Sequence, residues 1–427
     1  MKFVDTSYEP SKDDLKVVFR IEPGHGTIFK EAASKIAKES SVGTWTTTDT
    51  INERAEKIKA RVYELNDPYA KIAYPKELFE LNNIPQIMSS IAGNIFGMKS
   101  VKNLRLVDLG IPEKILKEYK GPRYGIEGVR EMLEVESRPL MGTIVKPKLG
   151  LDQKEHAKVA EKSWIGGCDI VKDDENLTSQ PFNKFEDRLT ETLESRDRAE
   201  DETGEKKVYM CNVTAPFNEM MERAEEIKKQ GGRYMMIDVV TVGFSALQEM
   251  RDEGPDLVIH AHRAMHGAIT RKKEHGITMQ ALGQLYRLIG VDQLHIGTGV
   301  GKMEGEKNDI KWIKENISKK EVTEYDTTME DMKKRLKQNW HQIKPVFPVS
   351  SGGLHPGIIH ELMDFLGKDL IIQAGGGVHG HPDGSKAGAK AMRQAIDAKM
   401  NKENPWKYSE EKEELKKALE LWGTKPN

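Results

Sequence analysis

Apolar and polar positions alternate with period two from Leu15 to Ile21, and Ile28, Ala32, Ile36 and Ala37 then recur at helical spacing between Thr27 and Glu39. A strand followed by a helix is predicted. Arg61 to Leu65 and Ala70 to Tyr74 read as further strands, Ile84 to Phe96 as a helix with Ile87, Met88, Ile91 and Ile95 on one face, and Leu104 to Leu109 as a closing strand. That order predicts an N-terminal ferredoxin-like α+β domain over residues 1–121. Periodicity breaks at Gly121-Pro122 and Tyr124-Gly125.

Beyond that break, eight short apolar runs alternate with segments of helical length: Leu140 to Val145, Asp169 to Val171, Val208 to Val213, Tyr234 to Val240, Leu257 to Ala261, Gln293 to Ile296, Val346 to Val349 and Leu370 to Ala374. The intervening helices are predicted at Glu155 to Trp164, Asn218 to Lys229, Met279 to Ile289, Met332 to Gln342, Ile358 to Leu366 and Ala387 to Ala398. Repeated βα units of this kind predict an α/β fold, a (β/α)8 TIM barrel over residues 122–427, with Ser409 to Trp422 as a C-terminal helical extension. An open doubly wound sheet is the alternative. The ends of the runs favour the barrel, because barrel enzymes gather their chemistry at the C-terminal ends of the strands. Polar residues fall there in nearly every unit: Lys146-Pro147-Lys148, Lys172 to Asn176, Asn212, Asp238, His260 to Arg263, His295, Ser350 to Gly353, and Gly375 to Gly377.

Composition narrows the function class. The 427 residues carry 66 Lys+Arg against 68 Asp+Glu, a net charge of −2, so no global field exists to hold a nucleic acid or an anionic membrane. No run approaches the roughly 18 apolar residues of a membrane span, and Met1 to Asp14 is polar, which argues against a signal peptide. Cys168 and Cys211 are the two cysteines, which points to a reducing, cytoplasmic setting.

The densest chemistry lies in Gly166 to Asn176. Asp174 and Glu175 offer the oxygen ligands a hard divalent cation takes, and Lys172 shares a side of the strand with Asp174. Two readings of Lys172 stand side by side: an ammonium paired with the carboxylates, or an amine that reacts with CO2 to give a carbamate and a third oxygen ligand. Lys146 and Lys148 place two amines at one strand end, where like charges lower a pKa toward acid/base use, unless they are merely solubilising. His260, His262, Arg263 and His266 lack zinc spacing and read as an anion and proton-handling group. Ser351-Gly352-Gly353 and Gly375-Gly376-Gly377 follow runs seven and eight, where barrels bind phosphate through bare backbone N–H groups. Together with Arg263 and His295 they suggest two phosphate sites and a bisphosphate substrate. Gly297 to Lys302 reads as a lid after run six that carries Lys302 over the substrate.

Taken together these residues resemble the large subunit of ribulose-1,5-bisphosphate carboxylase/oxygenase, most closely its shorter archaeal, form III type. The likeness runs from Glu39 to Gly380 and is most specific in Lys146 to Leu151, Gly167 to Asn176, His260 to His266 and His295 to Glu304. The N-terminal strings Glu39 to Thr46 and Gly93 to Gly97 also match. In that family these strings complete the active site of the other subunit, so the resemblance implies a homodimer, or an assembly of dimers, with shared sites. No small subunit is expected.

The resemblance implies that Lys172, as a carbamate formed with an activator CO2, holds Mg2+ with Asp174 and Glu175. It implies Lys146 as the acid/base, helped by Lys148, and His262 in proton transfer and hydration. Arg263, His295 and Ser351 match one phosphate site; Thr44, Trp45, Gly353, Gly375 and Gly376 match the other. Lys302 matches the lid lysine that orients CO2, with Glu39 as its partner, and Asn94 contacts substrate. The implied reaction is carboxylation of ribulose 1,5-bisphosphate to two 3-phosphoglycerates, with O2 as a competing substrate, in AMP salvage. Two rivals are a relative that only enolises, and a non-catalytic sugar-phosphate binder that would have no use for Lys172, Asp174 and Glu175.

Overall fold

The computed structural model describes residues 2–44, 46, 48–300, 307–322 and 333–425. Its contacts divide the chain into two compact units: Met1–Gly121 with Met265–Gly290 and Lys319–Lys344, and Pro122–Ala264 with Val291–Ser318 and Pro345–Asn427.

In the first unit, β1 (Leu15–Pro23), β2 (Arg61–Asn66), β3 (Tyr69–Tyr74) and β4 (Val101–Gly110) form an antiparallel sheet in the order β4-β1-β3-β2, extended by the short parallel β10 (Gly276–Ile277). Together with the helices Phe29–Glu39 and Ile84–Ile91 this is the ferredoxin-like arrangement expected. The alternation seen in the sequence has its physical cause here: Val17, Phe19 and Ile21 are buried beneath Ala32, Ala33, Ile36 and Ala37 of the first helix.

Two expectations in this unit fail. The helix predicted over Ile84 to Phe96 stops at Ile91, because Ala92 leaves helical dihedrals and a Cβ on Gly93 would lie 2.0 Å from the Ser89 carbonyl; a 3-10 turn, Asn94–Gly97, follows. The helix predicted over Met332 to Gln342 is absent from its described part, residues 333–342. There β13 (Gln338–Asn339) pairs with β12 (Glu321–Val322). The buried Gln338 amide donates to the Ile111 carbonyl (3.1 Å) and accepts from its N–H (2.8 Å), while Trp340 lies 4.2 Å under the Arg287 guanidinium. Leu336, Trp340 and Ile343 therefore mimic helical spacing while serving as separate packing points.

Asp108 of β4 is fully buried, and burial pushes its carboxyl up to about 7 although Leu336 N–H donates to it at 2.7 Å. Between its ordinary value of 3.8 and 7 the folded chain holds a proton the unfolded chain has lost, so stability falls as pH rises through that window. Asp108→Asn is expected to remove this fall, on the order of 4 kcal/mol between pH 4 and 8, as read by denaturant titrations at both pH values.

In the second unit, all eight apolar runs become strands of a closed parallel barrel. They are β5 (Leu140–Ile144), β6 (Ile170–Lys172), β7 (Val208–Asn212), β8 (Tyr234–Asp238), β9 (Val258–His262), β11 (Gln293–His295), β14 (Phe347–Ser351) and β15 (Ile371–Gln373), in that order around the ring. Leu140, Ile170, Val208, Tyr234, Val258, Phe347 and Ile371 fill the lower barrel, closed from below by Val129 and Leu133 of the helix Gly125–Leu133. Two residues further along, the inner face turns polar at Lys172, His260 and Gln373, while Met210, Met236 and Val349 continue the apolar core. Among the described residues, the helices Phe185–Thr203, Val239–Glu253 and Lys307–Ser318 were not anticipated.

One buried carboxylate ties several barrel units together. Asp292 accepts from Tyr124 N–H (2.7 Å), Gly125 N–H (3.1 Å), Ile259 N–H (2.9 Å) and the buried Arg251 guanidinium (2.7 Å). Asp292→Ala strands that guanidinium, and a loss of about 3–5 kcal/mol is expected, seen as a lowered Tm.

Candidate active site

The C-terminal ends of β5 and β6 lie side by side: the Val145 N–H donates to the Lys172 carbonyl at 3.2 Å. Strand alternation then separates three neighbouring residues by role. Asp173 points outward, where it accepts from Tyr209 OH (2.6 Å), Asn212 N–H (2.9 Å) and Arg188 Nε (3.2 Å), with His156 Nε2 also 3.2 Å away. Burial opposes its charge, but the Arg188 guanidinium and these donors hold the carboxyl well below the usual range. Asp173 thus locks the turn from behind.

Lys172 and Asp174 face the barrel axis and mouth. Lys172 is 1% exposed, and its ammonium donates to the Asp173 carbonyl (2.9 Å) and to Met236 Sδ (3.4 Å). Burial pulls its pKa down to about 8 against the opposing pull of Asp174 and Glu175, which brings the neutral, nucleophilic amine within reach. Asp174 is ion-paired with Lys146 and lies 3.5 Å from Lys148, which donates to Glu175 at 2.8 Å. The expected lowering of a lysine pKa by its like-charged neighbour is not what governs Lys148. Its hydrogen bond to Glu175 raises its pKa, since carboxylates outweigh the second amine. Glu175, despite burial, is held below its ordinary value by its hydrogen bonds with Asp174 and Lys148.

Among the described residues no three His, Cys, Asp or Glu side chains cluster as a metal site. Asp174 and Glu175 are two oxygen donors whose present partners are ammonium groups, so the pair demands cations. A divalent ion there needs a third donor, and Lys172 is the adjoining side chain that a carbamate would convert into one.

Across the mouth, His262 Nδ1 lies 3.0 Å from Asp238 Oδ1, and the rings of His262 and His295 are 4.8 Å apart. Burial and the Lys172 charge push the His262 pKa down, so the imidazole is neutral and free to take a proton. Arg263 has no carboxylate partner among the described residues, and burial alone lowers its pKa to about 10. An uncompensated guanidinium of this kind favours an anion. Gly297, at φ +97°, lets the chain pass close by; a Cβ there would be 3.2 Å from Arg263 Nη2. His295 Nδ1 meets Ser351 Oγ at 2.8 Å. Gly352 and Gly353 both take positive φ, and a Cβ on Gly375 would lie 3.3 Å from Lys146 Cε, so this glycine-rich backbone approaches the lysine closely. Gly376 begins a short helical turn, Gly376–His379.

The second unit therefore gathers Lys146, Lys148, Lys172, Asp174, Glu175, His262, Arg263, His295, Ser351, Gly352, Gly353, Gly375 and Gly376 at the strand ends. Glu39, Thr44 and Asn94 belong to the first unit. Glu39 ends the helix Phe29–Glu39, which packs on the turn beginning at Asn94, and Thr44 follows in the next loop. Trp45 and Lys302 lie outside the described residues. Asp173, Asp238 and Gln293 also shape the site without having been given a role in it, and His260 was read only as part of the anion and proton-handling group with His262. Their signal was a polar residue at an inward or strand-end position of an apolar run.

Family models for the N-terminal and catalytic domains of the ribulose bisphosphate carboxylase large chain match residues 2–115 and 125–422. The chain belongs to that family. A curated relative named ribulose bisphosphate carboxylase, from Methanocaldococcus jannaschii, is 53% identical over 433 residues, spanning 99% of this chain and 100% of its own. Among solved structures, the dimeric archaeal Rubisco of Hyperthermus butylicus is 46% identical with a TM-score of 0.93, covering 99% of each chain. The octameric ribulose-1,5-bisphosphate carboxylase/oxygenase of Pyrococcus horikoshii OT3 is 49% identical with a TM-score of 0.91, covering 99% of this chain and 96% of that one.

Proposed function

We propose that the chain carboxylates ribulose 1,5-bisphosphate at C2 to give two 3-phosphoglycerates, with O2 as the competing substrate, and that it serves AMP salvage as the archaeal likeness implies. The observation that carries this reading is the buried Lys172 amine beside a carboxylate pair one donor short of a metal site. The Lys172 ammonium loses one proton to solvent, the neutral amine attacks CO2 so that a C–N bond forms as one C–O π bond opens onto oxygen, and a second N–H proton leaves to solvent, so a positive charge becomes a negative one. Carbamylated Lys172, Asp174 and Glu175 would hold Mg2+. When bound, that ion supplies Lewis-acid polarisation of the substrate carbonyl.

The side chains then divide the work. Lys172, once carbamylated, would take the C3 proton. Lys146, released from Asp174, delivers a proton to the product carbanion, while neutral His262, oriented by Asp238, takes the proton of the water that hydrates C3. Arg263, His295 and Ser351 bind one phosphate, and Gly353, Gly375 and Gly376 bind the other through backbone N–H groups, with Thr44 and Trp45 supplied by a second subunit. Glu39 and Asn94 act across the same subunit boundary.

Incubation with Mg2+, labelled bicarbonate and ribulose bisphosphate is expected to give labelled phosphoglycerate. Enolisation without label in that product would overturn the carboxylase reading. For the shared site, mixing Lys172→Met with Asn94→Ala subunits, each inactive alone, is expected to restore up to about a quarter of wild-type turnover through hybrid dimers. No recovery after proven subunit exchange would count against sharing.

A further inference from the structure

A polar file inside the barrel joins His295 and Ser351, two residues of the proposed phosphate site, to His260 and Gln293, which have no part in the chemistry above. Gln293 and His295 are two residues apart on β11 and share its inner face; Gln293 and His260 are fully buried. Gln293 Oε1 lies 2.9 Å from His260 Nδ1, His260 Nε2 lies 3.0 Å from His295 Nε2, and His295 Nδ1 lies 2.8 Å from Ser351 Oγ. The file thus runs from the barrel interior to the partly exposed Ser351 at the mouth.

Burial holds both imidazoles well below their ordinary pKa, so each is neutral with one N–H. Two facing Nε2 atoms need one donor between them, which leaves the file two polarities. With Gln293 Oε1 accepting from His260, His260 accepts from His295, and His295 accepts the Ser351 proton. Ser351 then shows only lone pairs to the mouth. This polarity also leaves Gln293 Nε2 buried without an acceptor. The amide oxygen and nitrogen are isosteric, so the same pocket admits the amide turned by half a revolution. Every donor then reverses.

We propose that Gln293 is a positioning residue for the anionic end of the substrate: its Nε2 donates to His260, both imidazoles donate toward the mouth, and Ser351 directs its own O–H at a phosphate. The inference rests on the mouth being a sugar-bisphosphate site, and the Arg263 guanidinium, without a carboxylate partner among the described residues, supplies the charge complement there. Charge-assisted donation is lost in the other polarity.

The direct test is the 15N spectrum of histidine-labelled wild-type protein titrated with inorganic phosphate. Protonation of His260 at Nε2 and His295 at Nδ1 is expected in the bound state; the opposite tautomers overturn the proposal. Gln293→Met is expected to raise KM for ribulose bisphosphate about tenfold with kcat within about twofold, the loss of one charge-assisted donor. In a Ser351→Ala background the same change should add nothing, because its effect passes through Ser351. Additive losses, or a lower kcat at unchanged KM, would overturn it. Should Gln293→Met not fold, the wild-type tautomers decide alone. Wild-type protein that binds phosphate with the expected tautomers yet fixes no CO2 would sink the carboxylase reading and support the file.

Discussion

Lys172→Met is expected to reduce carboxylation by about a thousandfold or more while leaving the fold intact, because the change removes a transition-state group and little packing. Methionine has nearly the length of lysine without its charge. The site it enters already contains Met236, whose sulfur lies 3.4 Å from the Lys172 amine. Stability should therefore hold, and an unchanged Tm beside lost turnover is the expected pair of readings. The physical reason for the loss is charge inversion. In the proposed mechanism a carbamate on Lys172 turns a buried cation into an anion, and only the anion could join Asp174 and Glu175 as an oxygen donor. Mg2+ titrated in the presence of CO2 should bind wild type much more tightly than the variant, a readout independent of turnover. Equal Mg2+ affinity in both would remove Lys172 from the ligand set, and full enolisation by wild type never exposed to CO2 would remove the carbamate.

What could be read from the chain before its structure follows a physical pattern. The eight barrel strands were legible because each is a short apolar run closed by a polar strand end, and burial on both faces leaves them no polar alternation to confuse. The helix Phe185–Thr203 was hidden by its charge: it is mostly Glu, Asp, Arg and Thr, and its buried residues include Arg188 and Thr192. The Met332 to Gln342 helix was a false signal, since the apolar spacing there serves Gln338 and Trp340 packing.

The site divides in the same way. Lys172, Asp174 and Glu175 stood out because charge at the end of an apolar strand is costly and needs a purpose. Asp173, in the middle of the same string, falls on the opposite face by strand alternation, but the sequence gave no hint that it anchors Arg188 and Tyr209 there. Gln293 gave less, because an uncharged amide in a strand resembles any tolerated polar residue. Its role emerges only when β9, β11 and β14 bring His260, His295 and Ser351 into line.

Lys302→Ala is expected to separate carboxylation from enolisation. Lys302 follows β11 in sequence, whereas Lys146, Lys172, Asp174 and Glu175 sit on β5 and β6, so the groups that take the C3 proton are complete without it. In the proposed mechanism charge at position 302 matters later, when CO2 adds and a new carboxylate develops. Exchange of the C3 proton with solvent should therefore persist in the variant at near wild-type rate. Carboxylated product should fall by about two to three orders of magnitude, the loss of a transition-state charge contact of roughly 3–4 kcal/mol. Lys302→Arg, which keeps the charge but not the point geometry, should recover only part of it. Equal loss of exchange and carboxylation would mean that Lys302 acts in substrate binding alone, and unchanged carboxylation would remove it from the mechanism.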